Sequence, residues 1–324
     1  MSAKRVKLAK DYLLRKKTTG AFPSVIGIET TSRCNLDCIM CPRQEMTRGK
    51  GDMDLELFKK ISDSIIGNVE FIWLQDYGEP FLNKGIFDMI RYAKKSGLRT
   101  GISTNATVLD EGIIENIMFS GLDYIIFAFD GATKETYEKI RRGAKYEQVV
   151  QNIKQFIANK NERKADIFTV IQCIYMRDTE KEIKDFKRMW KIKGVDGIRI
   201  RQVTYSGGEG KFKNRLDSRP CYWLWSDPHI KWDGTVVPCC QDVNAVYPLG
   251  NIKDKSFGEI WNSEGMVRLR EMHISGKYKE LPLCKNCNMY QPNNMLIIGS
   301  SFFNYLTVNK LVPRIETLLS RIKY

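Results

Sequence analysis

Apolar residues along this chain alternate between two periods. Short runs rich in β-branched and aromatic residues read as six strands: "SVIGIET" (24–30), "VEFIWLQDY" (69–77), "LRTGIST" (98–104), "LDYIIFAFD" (122–130), "DIFTVIQCIY" (166–175) and "GIRIRQV" (197–203). Between them, apolar positions recur at helical spacing in "DLELFKKISDSII" (54–66), "KGIFDMIRYAKKSG" (84–97), "EGIIENIMFSG" (111–121) and "YEQVVQNIKQFIANK" (146–160). Strands that are apolar throughout, alternating with helices, predict a parallel sheet buried on both faces. Six such units predict an α/β fold, a partial (β/α)6 TIM-like barrel over 24–205. Its chemistry is expected at the C-terminal ends of the strands.

The alternation stops at "TYSGGEGKFKNRLDSRP" (204–220), which reads as a linker. Beyond it, 221–240 predicts a β-hairpin turning at Asp233-Gly234, 256–273 predicts one helix, and "CKNC" follows at 284–287. The expected organisation is a basic N-terminal extension (1–23), the barrel, a small α+β unit over 206–290 and a C-terminal helical tail over 291–324. The end of that tail, "VPRIETLLSRIKY", sets Arg314, Arg321 and Lys323 against apolar residues at helical spacing. That pattern suits a helix capping the barrel or lying on a membrane surface.

A chain of 324 residues can bury one large core and a second small one. The net charge of +14 invites a nucleic-acid partner. Nucleic acid is nevertheless not expected, because the lysines are interleaved with acids, as in "KEIKDFKRMWKIK" (181–193), without an aromatic-rich basic block. No apolar run approaches the roughly 20 residues of a spanning helix. The N-terminal stretch lacks the apolar segment and cleavage site of a secretory signal. A cytoplasmic protein is expected, with peripheral contact to the inner membrane face only through the tail. Nine cysteines in that compartment point to metal or redox chemistry rather than disulfides.

Cys34, Cys38 and Cys41 form a CxxxCxxC run directly after the first strand. Three thiolates can hold three irons of a 4Fe–4S cluster and leave the fourth open, although the spacing alone also suits zinc. Cys221, Cys239, Cys284 and Cys287 make a second set, sufficient to close either a 4Fe–4S cluster or a zinc site. Cys240 adjoins Cys239 and is an alternative ligand; Cys173, inside a strand, reads as a buried thiol. His229 and His273 have no metal-like partner at helical spacing and read as surface or packing residues. Glu29, Gln75, Asp76, Gln172, Tyr175, Arg199 and Arg201 stand at strand ends, where alternation sends about half of them into the barrel mouth.

Four stretches in order, "TSRCNLDCIMCPR" (31–43), "YGEPF" (77–81), "STNAT" (103–107) and "FDGATKETYEKIRRG" (129–143), together resemble the motifs of the radical S-adenosylmethionine (SAM) superfamily. The second cysteine set resembles the twitch domain of that family, a shortened SPASM domain with one auxiliary cluster. The resemblance implies two 4Fe–4S clusters, with SAM bound at the open iron of the first. It also implies SAM contacts from Met40, Gly78, Glu79, Ser103, Asn105, Asp130 and Arg141, while Tyr77 and Ala106 stand where glycines are usual. The implied chemistry is reductive cleavage of SAM to a 5′-deoxyadenosyl radical, fed by a flavodoxin- or ferredoxin-type reductant, and hydrogen-atom abstraction from a substrate. Dehydrogenation of a sugar-like, cyclitol-like or carrier-bound small molecule is expected. The alternative is modification of a peptide or protein by oxidation, thioether formation or epimerisation. No residue is singled out as catalytic.

Overall fold

The computed structural model describes residues 3–202, 219–287, 289, 291–292, 294–303, 307 and 310–311. Its first element is helix α1 (Ala3–Leu13), in a stretch that the sequence pattern left as an extension; Leu8, Ala9 and Tyr12 bury its inner face. Five βα-type units and a sixth strand follow: β1 (Val25–Ile28), α2 (Leu55–Ile65), β2 (Phe71–Trp73), α3 (Ile86–Lys95), β3 (Arg99–Thr104), α4 (Glu111–Ser120), β4 (Tyr124–Ala128), α5 (Lys134–Ile140), α6 (Tyr146–Arg163), β5 (Phe168–Tyr175), α7 (Ile183–Trp190) and β6 (Gly197–Gln202). Asp54, Asp110 and Thr133 start α2, α4 and α5, each side chain accepting a bond from a first-turn N–H that the helix leaves unpaired. The six strands pair in chain order and all in parallel, which is the expected partial barrel.

The remainder contains α8 (Trp223–Ser226), β7 (His229–Ile230), β8 (Thr235–Val237), β9 (Gly250–Asn251), α9 (Phe257–Trp261), α10 (Glu264–Ile274) and α11 (Asn294–Ser301). Here the structure departs from the pattern in two ways. The 256–273 stretch is two helices, because Ser256 caps α9, Ser263 caps α10, and Asn262 between them hydrogen-bonds both backbone groups of Thr19. The hairpin of β7 and β8 is also no free-standing unit. Strand β7 pairs in parallel with β1, Gly27 opposite His229, so one nine-stranded sheet runs β6-β5-β4-β3-β2-β1-β7-β8-β9. The His229 ring lies where a side chain on residue 27 would project, its Cε1 2.3 Å from an ideal Cβ, and only glycine admits that packing.

The two faces of this sheet differ. Ile26, Ile72, Ile102, Ile125, Ile171 and Ile198 pack outward in the main core with the helices. The inner face carries a separate cluster of Val25, Phe71, Tyr124, Ile126, Phe168 and Val170, with Trp73 against it. Phe71, Trp73, Tyr124 and Phe168 touch in sequence at ring separations of 5.1 to 5.4 Å, an aromatic floor to the barrel. Continuing the alternation upward places Glu29, Gln75, Ser103, Gln172, Arg199 and Arg201 on the inner face and Tyr175 on the outer one. The Lys310 ammonium lies 5.6 Å over the Phe168 ring, and α11 packs on α1. The interior of the expected linker and the tail end carrying Arg314, Arg321 and Lys323 lie outside the described residues.

Candidate metal centres

The loop after β1 is stitched to the end of α5. Asp37 N–H donates to the Arg142 carbonyl (2.9 Å), Ile39 N–H to the Ile140 carbonyl (3.0 Å), and Cys41 N–H turns back onto Cys38 (3.1 Å). Those bonds gather Cys34, Cys38 and Cys41 at the C-terminal end of the barrel. Burial pushes the Cys38 thiol up to about 11; Arg141 opposes the shift, and Cys41 and Cys34 reinforce it. Cys34 and Cys41 are raised by burial as well. Asn105 Nδ2 stands 3.8 Å from Cys34 Sγ and donates to Asn35 Oδ1 at 3.0 Å.

Several residues expected at SAM are tied up inside the chain. Arg141 grips Asp130 through Nε (2.8 Å) and Nη2 (2.6 Å), and the other Asp130 oxygen accepts from Ile174 N–H (2.6 Å). Glu79 is 2% exposed; one oxygen accepts from Thr104 Oγ1 and the other from Asn105 N–H, both at 2.7 Å. Burial outweighs these bonds and lifts its carboxyl to about 7. A Cβ on Gly78 would lie 2.1 Å from the Thr31 carbonyl oxygen, and Glu79 N–H donates to the Arg33 carbonyl (2.8 Å). Gly78 and Glu79 therefore lock the loop after β2 to the cysteine loop and to the end of β3. Ser103, whose N–H donates to Gln75 Oε1 (2.6 Å), and Met40, packed against the core, remain half-buried. Ala106 has φ +59°, a left-handed conformation that accounts for the usual glycine at its position in the resembling motif.

The second set assembles from three segments. Cys221 ahead of α8, Cys239 after β8, and Cys284 with Cys287 line one apolar pocket alongside Leu269 and Tyr247. Burial, then the proximity of Cys287, pushes both Cys221 and Cys284 up to about 12. Cys240 is not among the lining residues. Its nearest charges are Asp227 and Asp76, and its carbonyl accepts the buried Tyr77 hydroxyl. Gln291 Nε2 donates to Cys221 Sγ at 3.3 Å, and His273 Nδ1 accepts from Cys221 N–H at 3.3 Å. Burial lowers the His273 pKa to about 4, which keeps it a neutral acceptor. The sequence carried no signal for that role, since the two residues meet only through α10.

Between the two sets lies a seam of buried charge at β7, β1 and β2. Asp76 accepts from Lys231 Nζ (2.6 Å) and faces His229 Nδ1 at 3.6 Å, an ion pair without a hydrogen bond. Burial alone would depress the His229 pKa, but Asp76 and Asp227 lift it to about 9. Glu29 pairs with Arg48, and its other oxygen accepts from Trp232 N–H at 3.3 Å. Lys231 and Arg48 went unnoticed in the sequence because nothing local marks either as different from a solvated base.

Both donor sets fit iron–sulfur ligation. Three thiols converge on one loop, four others line a closed apolar pocket, and burial keeps all of them neutral unless metal charge offsets the thiolates. Comparison with known proteins agrees with this chemistry. The profile of the Radical SAM superfamily matches residues 28–189, and that of SPASM, an iron-sulfur cluster-binding domain, matches 221–288. A tungsten-containing aldehyde ferredoxin oxidoreductase cofactor-modifying protein of Pyrococcus furiosus is 26% identical, over 81% of this chain and 86% of its own. The S-adenosyl-L-methionine-dependent 2-deoxy-scyllo-inosamine dehydrogenase of Niallia circulans is 22% identical over 82% of this chain and 92% of its own. Its solved structure, BtrN with AdoMet and 2-DOIA, superposes with a TM-score of 0.59 at 21% identity, covering 83% of this chain and 94% of that one. SuiB of Streptococcus suis, bound to its precursor peptide SuiA, shares the fold with a TM-score of 0.63 at 16% identity, over 88% of this chain and 75% of that one. With a matching profile over the barrel, the motifs at the strand ends and two largely half-buried cysteine sets, the chain belongs to the radical SAM superfamily and carries a SPASM cluster-binding domain.

Proposed function

We propose that this radical SAM enzyme is a dehydrogenase of a sugar-like, cyclitol-like or carrier-bound small molecule. In this reading, Cys34, Cys38 and Cys41 hold a 4Fe–4S cluster open to SAM, and Cys221, Cys239, Cys284 and Cys287 hold a second that is closed. When bound, the first cluster and SAM supply reductive cleavage of a carbon–sulfur bond and abstraction of a substrate hydrogen atom. The observation that carries the reading is the four-thiol pocket, which gathers Cys239 with the other three and leaves Cys240 outside. A site closed by four thiolates has no position for SAM or substrate, so what it offers is a place for an electron. That capacity suits a net two-electron oxidation. The substrate loses two hydrogens, and SAM ends as methionine and 5′-deoxyadenosine.

The chain's own part is containment. The aromatic floor of Phe71, Trp73, Tyr124 and Phe168 closes the lumen from below and limits water beside a reactive intermediate. The Asp130–Arg141 pair holds the end of α5, and through it the three-cysteine loop. An external flavodoxin- or ferredoxin-type donor would supply the initiating electron. The Niallia circulans relative supports the dehydrogenase reading over most of both chains. The Pyrococcus furiosus relative favours a second reading, action on the cofactor of another redox enzyme, over a similar span. The likeness to SuiB is one of fold alone.

The test is anaerobic. Cluster-loaded protein is incubated with SAM, dithionite and a metabolite extract, and both 5′-deoxyadenosine and metabolite masses are followed. A metabolite two hydrogens lighter is the expected result. Product of unchanged mass, or a mass shift confined to a peptide or an enzyme cofactor, would overturn the proposal.

A further inference from the structure

Among the described residues, the buried charges discussed above at the barrel's strand ends are paired, and Arg199 is an exception. At the β7, β1 and β2 end, Asp76 holds Lys231 and Glu29 holds Arg48. Arg141 is bound to Asp130, and the other fully buried arginine with an assigned setting, Arg270, donates to the Leu224 and Lys17 carbonyls. Arg199, on β6 at the opposite end of the sheet, is 8% exposed, and among the described residues its side chain has neither a hydrogen bond nor an ion pair. Its orientation follows from register. Val170 on the floor stands opposite Gly197, so Gln172 and Arg199, the next pair up, share the inner face. Ile198 points into the outer core, as alternation requires. Gln172 beside it has its Oε1 buried without a partner, an acceptor that suits a substrate hydroxyl rather than an anion.

A mostly buried guanidinium is partly desolvated, a cost that a bound anion would offset. Among the described residues no side chain pairs with Arg199, and its fork of donors matches the geometry of a carboxylate or phosphate. Arg201 continues the same face two residues nearer the barrel mouth and is exposed. We propose that Arg199 is a substrate subsite that binds an oxyanion, with Gln172 Oε1 beside it free to accept from a neighbouring substrate hydroxyl. The substrate then carries a carboxylate or phosphate group that docks on β6, while its reacting carbon is held toward the cysteine loop at the β1 side. This deepens the dehydrogenase proposal only in taking the barrel lumen as the reaction chamber; it does not depend on which reaction occurs there.

Equilibrium dialysis of the anaerobic, cluster-loaded enzyme with saturating SAM, at physiological salt, tests it. The probes are labelled inorganic phosphate and labelled acetate, on wild type, Arg199→Gln and Arg199→Lys. The expected result is one bound anion per chain in wild type, weakened about tenfold or more by Arg199→Gln and partly restored by Arg199→Lys, with iron content and SAM affinity unchanged. Preference for phosphate or for acetate identifies which group the substrate bears. Three results would overturn the proposal: no bound anion in wild type, equal binding in wild type and Arg199→Gln, or a matching loss of SAM affinity that assigns Arg199 to the SAM carboxylate. No turnover occurs in this assay, so it stands apart from success or failure of the dehydrogenase reading.

Discussion

Cys34, Cys38 and Cys41 sit on one loop held by backbone bonds to α5, whereas Cys221, Cys239, Cys284 and Cys287 come from three segments joined only when α8, β8 and α10 have packed. The first arrangement stands at the C-terminal end of the barrel, after β1. The second is walled by apolar side chains and supported by His273 and Gln291. The difference is one of sequence range. Local spacing suffices to present three ligands, while enclosing four requires long-range packing.

The sharpest way to break this comparison is to empty each site in turn. Alanine at Cys34, Cys38 or Cys41 should abolish 5′-deoxyadenosine formation and remove about half of the iron, leaving the closed site loaded. Alanine at Cys284 or Cys287 should also remove about half of the iron, but stop product formation while SAM cleavage persists. Iron and sulfide assays with electron paramagnetic resonance read both effects. Within the same series Cys239→Ala should lose the closed site and Cys240→Ala should keep it. Equal iron loss in those two variants would refute the separation of their roles.

A smaller effect is expected where the open site meets its neighbour. In Gly78→Ala the new methyl would lie 2.1 Å from the Thr31 carbonyl oxygen, which can yield only by moving the cysteine loop. Stability should fall by about 1–3 kcal/mol in a denaturant titration, with iron lost from the three-cysteine site and retained at the other. Unchanged iron at both sites would show that the loop tolerates the shift.

The seam between the regions gives the smallest predicted change, read through pH. Three charged groups surround His229: Asp76, Asp227 and Lys231. Its folded pKa of about 9 exceeds the unfolded 6.5, so protonation stabilises the fold fully below pH 6.5, and that stabilisation disappears as pH rises through 9. Thermal unfolding followed from pH 6 to 10 should show a loss on the order of 2 kcal/mol over this window, absent in Asp76→Asn. A flat profile in the wild type would remove the ion pair from the account of how β7 is held to β1.

The sequence by itself determined the six-stranded parallel barrel and the place of the CxxxCxxC loop after β1, because each of these is written in local periodicity or short spacing. Tertiary structure alone decided the rest. The join of β7 to β1 depends on a glycine meeting a histidine from far along the chain. Two adjacent cysteines part company because one faces the apolar pocket and the other the Asp76 seam. Glu79, Asp130 and Arg141 became internal clamps through partners on other elements. Arg199 looked like any strand-end base until register placed it inside the barrel, without a counter-ion among the described residues. Burial and partnership are properties of the space around a side chain, and that space is made by residues distant in sequence.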